Sequence, residues 1–276
     1  MGLLVLKLVL TPVLIGGASL GARRWGPTVG GWIVSLPLTS GPVVLFLALD
    51  RGPAFAAAAA EAALAGCVAI AAYGVAYARA ADRDRWMVAL AAGAAAWLLA
   101  AVAVQPALRW PVPLLFGVVG LITVLALQLL PAGGSAGAAP RSNLWDVPLR
   151  MAVGTAVVVL VTAAAPLLGA GTSGILAMLP IIGSILAVFA QRAGGAAHGI
   201  AIQRGILSGL FGTAAFLAVV GGSIEGVPIA VSFGIGLVAV VLVQAVALRV
   251  LRSGPAGTPP ADWGSHESAD RRTIGA

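Results

Sequence analysis

Prolines interrupt two long apolar stretches of this chain, each near its middle. Pro37 lies in "SLPLTSGP" and Pro180 in "MLPIIGS", inside runs that otherwise have the composition of membrane-spanning helices. A proline lacks an N–H group and crowds the carbonyl four residues back, so Pro37 is expected to free a backbone acceptor at Ile33 and Pro180 one at Leu176. Exposed backbone at membrane depth survives only where it is buried in protein or lines a wet cavity. The chemistry expected here is the binding of a solute or an ion.

Further candidates for this site carry hydroxyl groups or a second proline, and they are Ser35, Thr39, Ser40, Pro42 and Ser184. We expect them to line one cavity together with the freed carbonyls. An alternative stays open at this point, because proline kinks satisfied by neighbouring hydroxyls are common in membrane helices.

Two ionisable residues, Glu61 and Arg204, lie inside other apolar segments. Such groups are costly in a membrane and usually face a cavity or a partner. Their depths in the predicted spans argue against a direct ion pair, so each is expected to guard one mouth of a shared pathway. For Arg204, extension of the side chain to the inner surface is at least as good an explanation.

The composition indicates an integral membrane protein. Of the 276 residues, 60% are hydrophobic and only 9% are charged, whereas soluble domains carry about 25% charged residues. The net charge of +7 comes from arginines scattered through short loops, which is not the clustered basic face of a nucleic-acid-binding protein. The expected partner is the lipid bilayer, and no nucleic acid.

The hydropathy pattern predicts an all-α, polytopic membrane helix bundle with about nine transmembrane helices. The predicted spans are 3–22, 28–48, 54–78, 86–104, 112–130, 147–168, 172–190, 199–220 and 227–250. They divide into a first repeat of five spans (1–130), a linker loop (131–146), a second repeat of four spans (147–251) and a disordered cytoplasmic tail (252–276).

Positive charges orient this arrangement. Nine spans place ten arginines on one side of the membrane, against Lys7, Arg51 and Arg109 on the other. Because positive residues are enriched on the cytoplasmic side, the N-terminus is predicted outside and the C-terminus inside.

An internal repeat appears when the chain is shifted by 143 residues. Pro37 then falls on Pro180, and Gly52 falls on Gly195. Glu61 and Arg204 are equivalent under the same shift. An odd number of spans precedes the second copy, so the two copies are predicted to be inverted structural repeats, a plan found in many secondary transporters.

No constellation typical of an enzyme is found in the sequence. The two histidines, His198 in a short Gly/Ala loop and His266 in the polar tail, are far apart, and Cys67 is a lone cysteine in an apolar run. Neither a nucleophile–base pair nor metal-ligand spacing is present. We therefore expect no enzyme activity, no metal and no cofactor.

The string "RRWGPTVGGWIVSLPLTSGPVVLFLALDRGPAF" resembles the GlpM-like group of small bacterial integral membrane proteins. The resemblance covers residues 3–78, with an echo in 150–220. It implies a bacterial inner-membrane protein, and it carries over no substrate and no functional residues.

Two function classes follow. The first is a gradient-driven or passive transporter or flippase of a small solute or lipid intermediate. The second is a non-transporting membrane factor that supports envelope biosynthesis through protein contacts. The oligomeric state is left open by the sequence.

Overall fold

The described part of the chain is built from helices. The computed structural model describes residues 5, 8–13, 16, 33, 36–81, 85–131 and 145–253. We label its helices α1 (Ser40–Arg51), α2 (Pro53–Ala81), α3 (Trp86–Ala103), α4 (Val112–Leu129), α5 (Asp146–Ala177), α6 (Ile181–Gly194), α7 (Ala196–Ser223) and α8 (Ile229–Ser253), with a short 3-10 helix at Gln105–Arg109 between α3 and α4.

Six helical segments in the described residues are long and apolar enough to cross a membrane. They are formed by α2, α3 with the 3-10 helix, α4, α5 with α6, α7, and α8. The chain is therefore a multi-pass helical membrane protein. The predicted span 3–22 falls mostly outside the described residues, as do most of the linker 131–146 and of the tail, whereas the predicted span 28–48 is described at 33 and 36–48.

Two helices form the centre of the bundle. In α2 and in α7, 72% of the most apolar window is buried, against 22–28% in the other spanning segments. The outer helices expose large apolar side chains, such as Leu99 on α3 and Val241 on α8. In a membrane these faces contact lipid, whereas α2 and α7 contact mainly other helices.

Small residues allow the central helices to approach closely. Cys67 and most of the alanines of α2 are buried. A Cβ atom added at Gly174 of α5 would collide with the carbonyl oxygen of Ala59 and would lie 2.8 Å from Cβ of Ala62. The backbones of α2 and α5 are thus nearly in contact, which only small residues permit.

The second half of the chain has the predicted breaks, but its loops are shorter than expected. Helix α5 joins two helical segments at Gly169, where φ is 75° and ψ is 169°, so the break predicted at 169–172 is present but takes up one residue. The span predicted at 172–190 is interrupted between Ala177 and Ile181, at Pro180. His198, placed in a loop by the sequence, lies in α7 and is buried. Apolar residues on both sides of the Gly/Ala segments let the helices continue close to each break.

Single glycines join two pairs of helices. Gly52 separates α1 from α2, and Gly195 separates α6 from α7. Their backbone angles are nearly the same, with φ and ψ of 91° and 167° at Gly52 and 83° and 178° at Gly195. This conformation is essentially restricted to glycine, since a Cβ atom would strain the backbone. Both chain reversals therefore depend on the missing side chain.

We predict that Gly52→Ala and Gly195→Ala each lower the free energy of unfolding by about 1–3 kcal/mol, the usual cost of a strained backbone conformation. No atom lies within 4 Å of the added methyl group at either position, so the loss would report backbone strain alone. SDS-induced unfolding followed by circular dichroism would measure it. Gly117→Ala is the matched control, because Gly117 is helical and equally uncrowded. A loss no larger than the control's would contradict the prediction.

Candidate functional site

The two proline segments interrupt the helices as the sequence predicts. Residues 36–39 around Pro37 are not helical, and α1 begins at Ser40. Helix α5 ends at Ala177, and α6 begins at Ile181, directly after Pro180. Each break therefore places the N-terminus of a new helix inside the bundle.

The breaks make the same backbone hydrogen bonds at positions 143 residues apart. At the first break, N–H groups donate to carbonyls from Leu36 to Ile33, from Leu38 to Leu36 and from Gly41 to Pro37. At the second break, the corresponding bonds run from Leu179 to Leu176, from Ile181 to Leu179 and from Ser184 to Pro180. The prediction that the carbonyls of Ile33 and Leu176 are left free is wrong. Each accepts the N–H group three residues later, because the chain tightens into a 3-10-like turn before the proline.

One cavity lies between the two breaks. Its volume is about 80 Å³, enough for several water molecules. Thr39 and Ser40 line it from the first break, and Pro180 and its neighbours from the second. The central helices complete it with polar side chains, namely Tyr73 of α2 and Gln203 and Thr213 of α7. The described residues that line it carry hydroxyl and amide groups but no charge.

Gln203 is the least satisfied polar group in this cavity. Its side chain is fully buried, and neither its amide nitrogen nor its oxygen has a hydrogen-bond partner in the described part of the chain. Leaving a buried polar group unpaired costs about 1–3 kcal/mol. Gly74 of α2 gives it room, since an added Cβ atom there would lie 3.5 Å from the Gln203 oxygen.

Tyr73 connects the cavity to the second break. Its hydroxyl lies 2.6 Å from the hydroxyl of Ser184, which donates to the carbonyl of Pro180. Ser184 thus holds the first turn of α6 to α2. The ring of Tyr73 fits against Gly93 of α3, where an added Cβ atom would lie 2.7 Å from it.

A second polar contact joins α2 to α6 farther along these helices. Tyr77 stacks on Tyr73, with ring centroids 5.8 Å apart, and donates a 2.7 Å hydrogen bond to Gln191. The side-chain nitrogens of buried His198 have no partner among the described residues. Within the same part of the chain, no three His, Cys, Asp or Glu residues are grouped closely enough to hold a metal ion.

Trp97 of α3 is hydrogen-bonded to a backbone carbonyl within the second break. Its indole N–H donates a 3.1 Å hydrogen bond to the carbonyl of Met178. Both groups are buried, so the bond satisfies an acceptor that the interrupted helix cannot. Met178 itself packs on Gly66 of α2.

Pro37 and Pro42 face a different space. They line a larger, almost wholly apolar cavity of about 600 Å³ between α1 and α8. Its polar side chain, Gln244, donates a 2.7 Å hydrogen bond to the carbonyl of Gly209. Of the predicted hydroxyl residues, Thr39 and Ser40 reach the cavity between the breaks, Ser184 touches it through Tyr73, and Ser35 lies outside the described residues.

Glu61 and Arg204 line neither cavity. The side chain of Glu61 packs on Gly221 of α7, and its charged neighbour is Glu225. Arg204 donates a 2.9 Å hydrogen bond to the carbonyl of Pro131, just past the end of α4. A cation at a helix C-terminus is favourable, so this contact gives Arg204 a structural role.

The most informative residues of the candidate site were missed from the sequence. Gln203 and Tyr73 line the cavity and Trp97 bonds the second break, yet all three are single polar residues in apolar runs, and nothing in their spacing indicates that they lie close together. The 143-residue shift pairs Gln203 with Ala60, so the repeat did not reveal it either. The signal that the sequence does carry is a polar residue inside a predicted span, since Gln203 lies within 199–220.

Compared with known proteins, the chain matches no family model, no curated protein and no solved structure. The resemblance to the GlpM-like group thus stays a prediction from the sequence pattern.

We predict that Trp97→Phe lowers the free energy of unfolding by about 1–3 kcal/mol, because the carbonyl of Met178 would be left buried without a donor. SDS titration followed by circular dichroism would measure the loss. Trp110→Phe serves as the control, since Trp110 is exposed and lies outside both cavities. Equal stability of the two variants would contradict the role assigned to the indole.

Proposed function

We propose that this chain is a gradient-driven or passive transporter or flippase of the bacterial inner membrane, moving a small solute or a lipid intermediate. The observation that carries the proposal is the cavity between two interrupted helices. Irregular backbone is tolerated at membrane depth where it lines a cavity or is buried in protein, and discontinuous helices commonly form the substrate sites of secondary transporters.

The depth of the cavity supports this function. Helix α7 has 28 residues and is about 42 Å long at 1.5 Å per residue, so it exceeds a hydrocarbon core of about 30 Å. Its centre falls between Gln203 and Thr213, which both line the cavity. On α2 the centre is Cys67, about one turn from the lining residue Ile70. A polar cavity near half-depth is suited to alternating access.

We further propose that the two halves are inverted repeats within a bundle of about nine spans. Support comes from helix bounds as well as sequence. Shifted by 143 residues, α1 and α2 coincide with α6 and α7 to within two residues at each end. The two breaks also share their backbone hydrogen bonds. Helix α3, which precedes the second copy without a counterpart in it, supplies the odd span that inverts the copies.

The orientation can be tested with fusions. We predict that a green fluorescent protein fused after Arg252 is fluorescent and that alkaline phosphatase fused there is inactive, because the arginine distribution places this end in the cytoplasm. The same pair of reporters fused after Arg109 should give the opposite result and serves as the internal control. Active phosphatase at 252 would overturn both the orientation and the nine-span arrangement.

Transport requires that the cavity opens to both sides of the membrane. We predict that Thr39→Cys, in a Cys67→Ala background, reacts with a small membrane-impermeant methanethiosulfonate in both right-side-out and inverted vesicles. Mass spectrometry would quantify the labelled fraction.

Leu121→Cys in the same background is the control for this experiment. Leu121 is 60% exposed on the outer face of α4 and lines neither cavity, so its thiol should stay protonated in lipid and unreactive from either side. Labelling of Thr39→Cys from one side only, or from neither, would contradict transport and favour a non-transporting factor acting through protein contacts.

A further inference from the structure

The positive ends of two helix dipoles meet at the cavity between the breaks. The first residue of α1, Ser40, lines it, and so do Ile181, Ile182 and Gly183 in the first turn of α6. These helices have 12 and 14 residues, long enough to carry a dipole equivalent to roughly half a positive charge at each N-terminus.

The same helix ends also supply hydrogen-bond donors. The N–H groups of Ser40, Ile182 and Gly183 belong to first turns and have no acceptor within their own helices. Thr39 occupies the N-cap of α1, yet its hydroxyl makes no capping hydrogen bond. The cavity therefore presents backbone donors from two directions.

Gln203 independently indicates that polar partners inside the cavity, from water or from a ligand, complete it. Its carboxamide is fully buried, lines the cavity and has no partner on either atom among the described residues. Other side chains with an unpaired buried atom, such as Ser173 and His198, do not line it. The nitrogen of Gln203 needs an acceptor, and its oxygen needs a donor.

No charged side chain is present among the described residues that line the cavity. The carboxyl end of α5, at Ala177, also lines the cavity and partly offsets the positive potential, but two positive helix ends face one negative end and no carboxylate is added. Resting on the proposed function, we propose that this cavity binds the carboxylate of a small organic acid that also carries a hydroxyl or amino donor.

Each part of this ligand has a counterpart in the cavity. The carboxylate oxygens accept from the first-turn N–H groups and from the Gln203 nitrogen, while the neighbouring hydroxyl or amine donates to the Gln203 oxygen. A molecule of about five non-hydrogen atoms matches a volume of about 80 Å³. The same carboxylate-and-donor chemistry is offered by a free hydroxy acid and by the headgroup of phosphatidylserine.

Equilibrium dialysis of the purified full-length chain in detergent tests the site without any transport step. The probe is radiolabelled glycolate, which combines a carboxylate and a hydroxyl. We expect saturable binding, at least about tenfold weaker binding of acetate, which lacks the donor, and still weaker binding of neutral glycolamide. Glycolamide that binds as tightly as glycolate would overturn the anion assignment.

Substitutions assign the binding to this cavity. Gln203→Leu should weaken glycolate binding by about tenfold or more, and the nearly isosteric Gln203→Met should do the same, because both remove the amide donor and acceptor. Gln105→Leu is the matched control, because Gln105 is exposed in the 3-10 helix and lines neither cavity. Wild-type affinity in a folded Gln203→Leu or Gln203→Met variant would overturn the site.

Proteoliposomes separate the two sources of the ligand and the two proposals. Uptake of glycolate indicates a free acid, whereas faster exchange of labelled phosphatidylserine than of phosphatidylcholine, without glycolate binding, assigns the same chemistry to a lipid headgroup. Binding of glycolate in detergent without uptake or lipid exchange would support the site and contradict transport. The inference is overturned if glycolate does not bind and phosphatidylserine is not exchanged preferentially.

Discussion

The structure depends on satisfying backbone carbonyls where helices are interrupted inside the bundle. Hydrocarbon offers no donor, so every such group must be paired within the protein or face a polar cavity. The second break achieves this with side chains from α2, α3 and the first turn of α6. Trp97 holds the carbonyl of Met178, and Ser184, bonded in turn to Tyr73, holds that of Pro180. The break therefore interrupts one helix and also connects it to α2 and α3.

These contacts require small residues where α3, α5 and the Met178 segment approach α2. Large residues at Gly174, Gly93 or Gly66 would push α5, α3 and the Met178 segment away from α2. The bundle therefore gains its stability from close packing of small residues, where many weak dispersion contacts add together. Many large apolar side chains also lie on the outer faces, where they contact lipid.

The positions where the backbone changes direction were the part that the sequence could predict. Prolines and glycines change the backbone locally, so the breaks at Pro37, Pro180, Gly52 and Gly195 can be predicted without knowing which distant residues they contact. Hydropathy likewise indicates the membrane class. The break predicted at 169–172 is present at Gly169 as well, but it takes up a single residue and helical geometry resumes directly after it.

The candidate site was harder to predict, because its polar groups meet only after folding. Tyr73 and Ser184 are 111 residues apart, and Trp97 and Met178 are 81 apart. Spacing along the chain carries no signal for such pairs. Gln203 is harder still, since its importance lies in having no partner, and this can be seen only once its surroundings are known.

The indole of Trp97 ties the second interruption to a third helix. The carbonyl of Met178, between α5 and α6, accepts its hydrogen bond from α3. Any bending of the chain at Pro180 must therefore carry α3 along or break this hydrogen bond, so a movement at the break would be felt three helices wide.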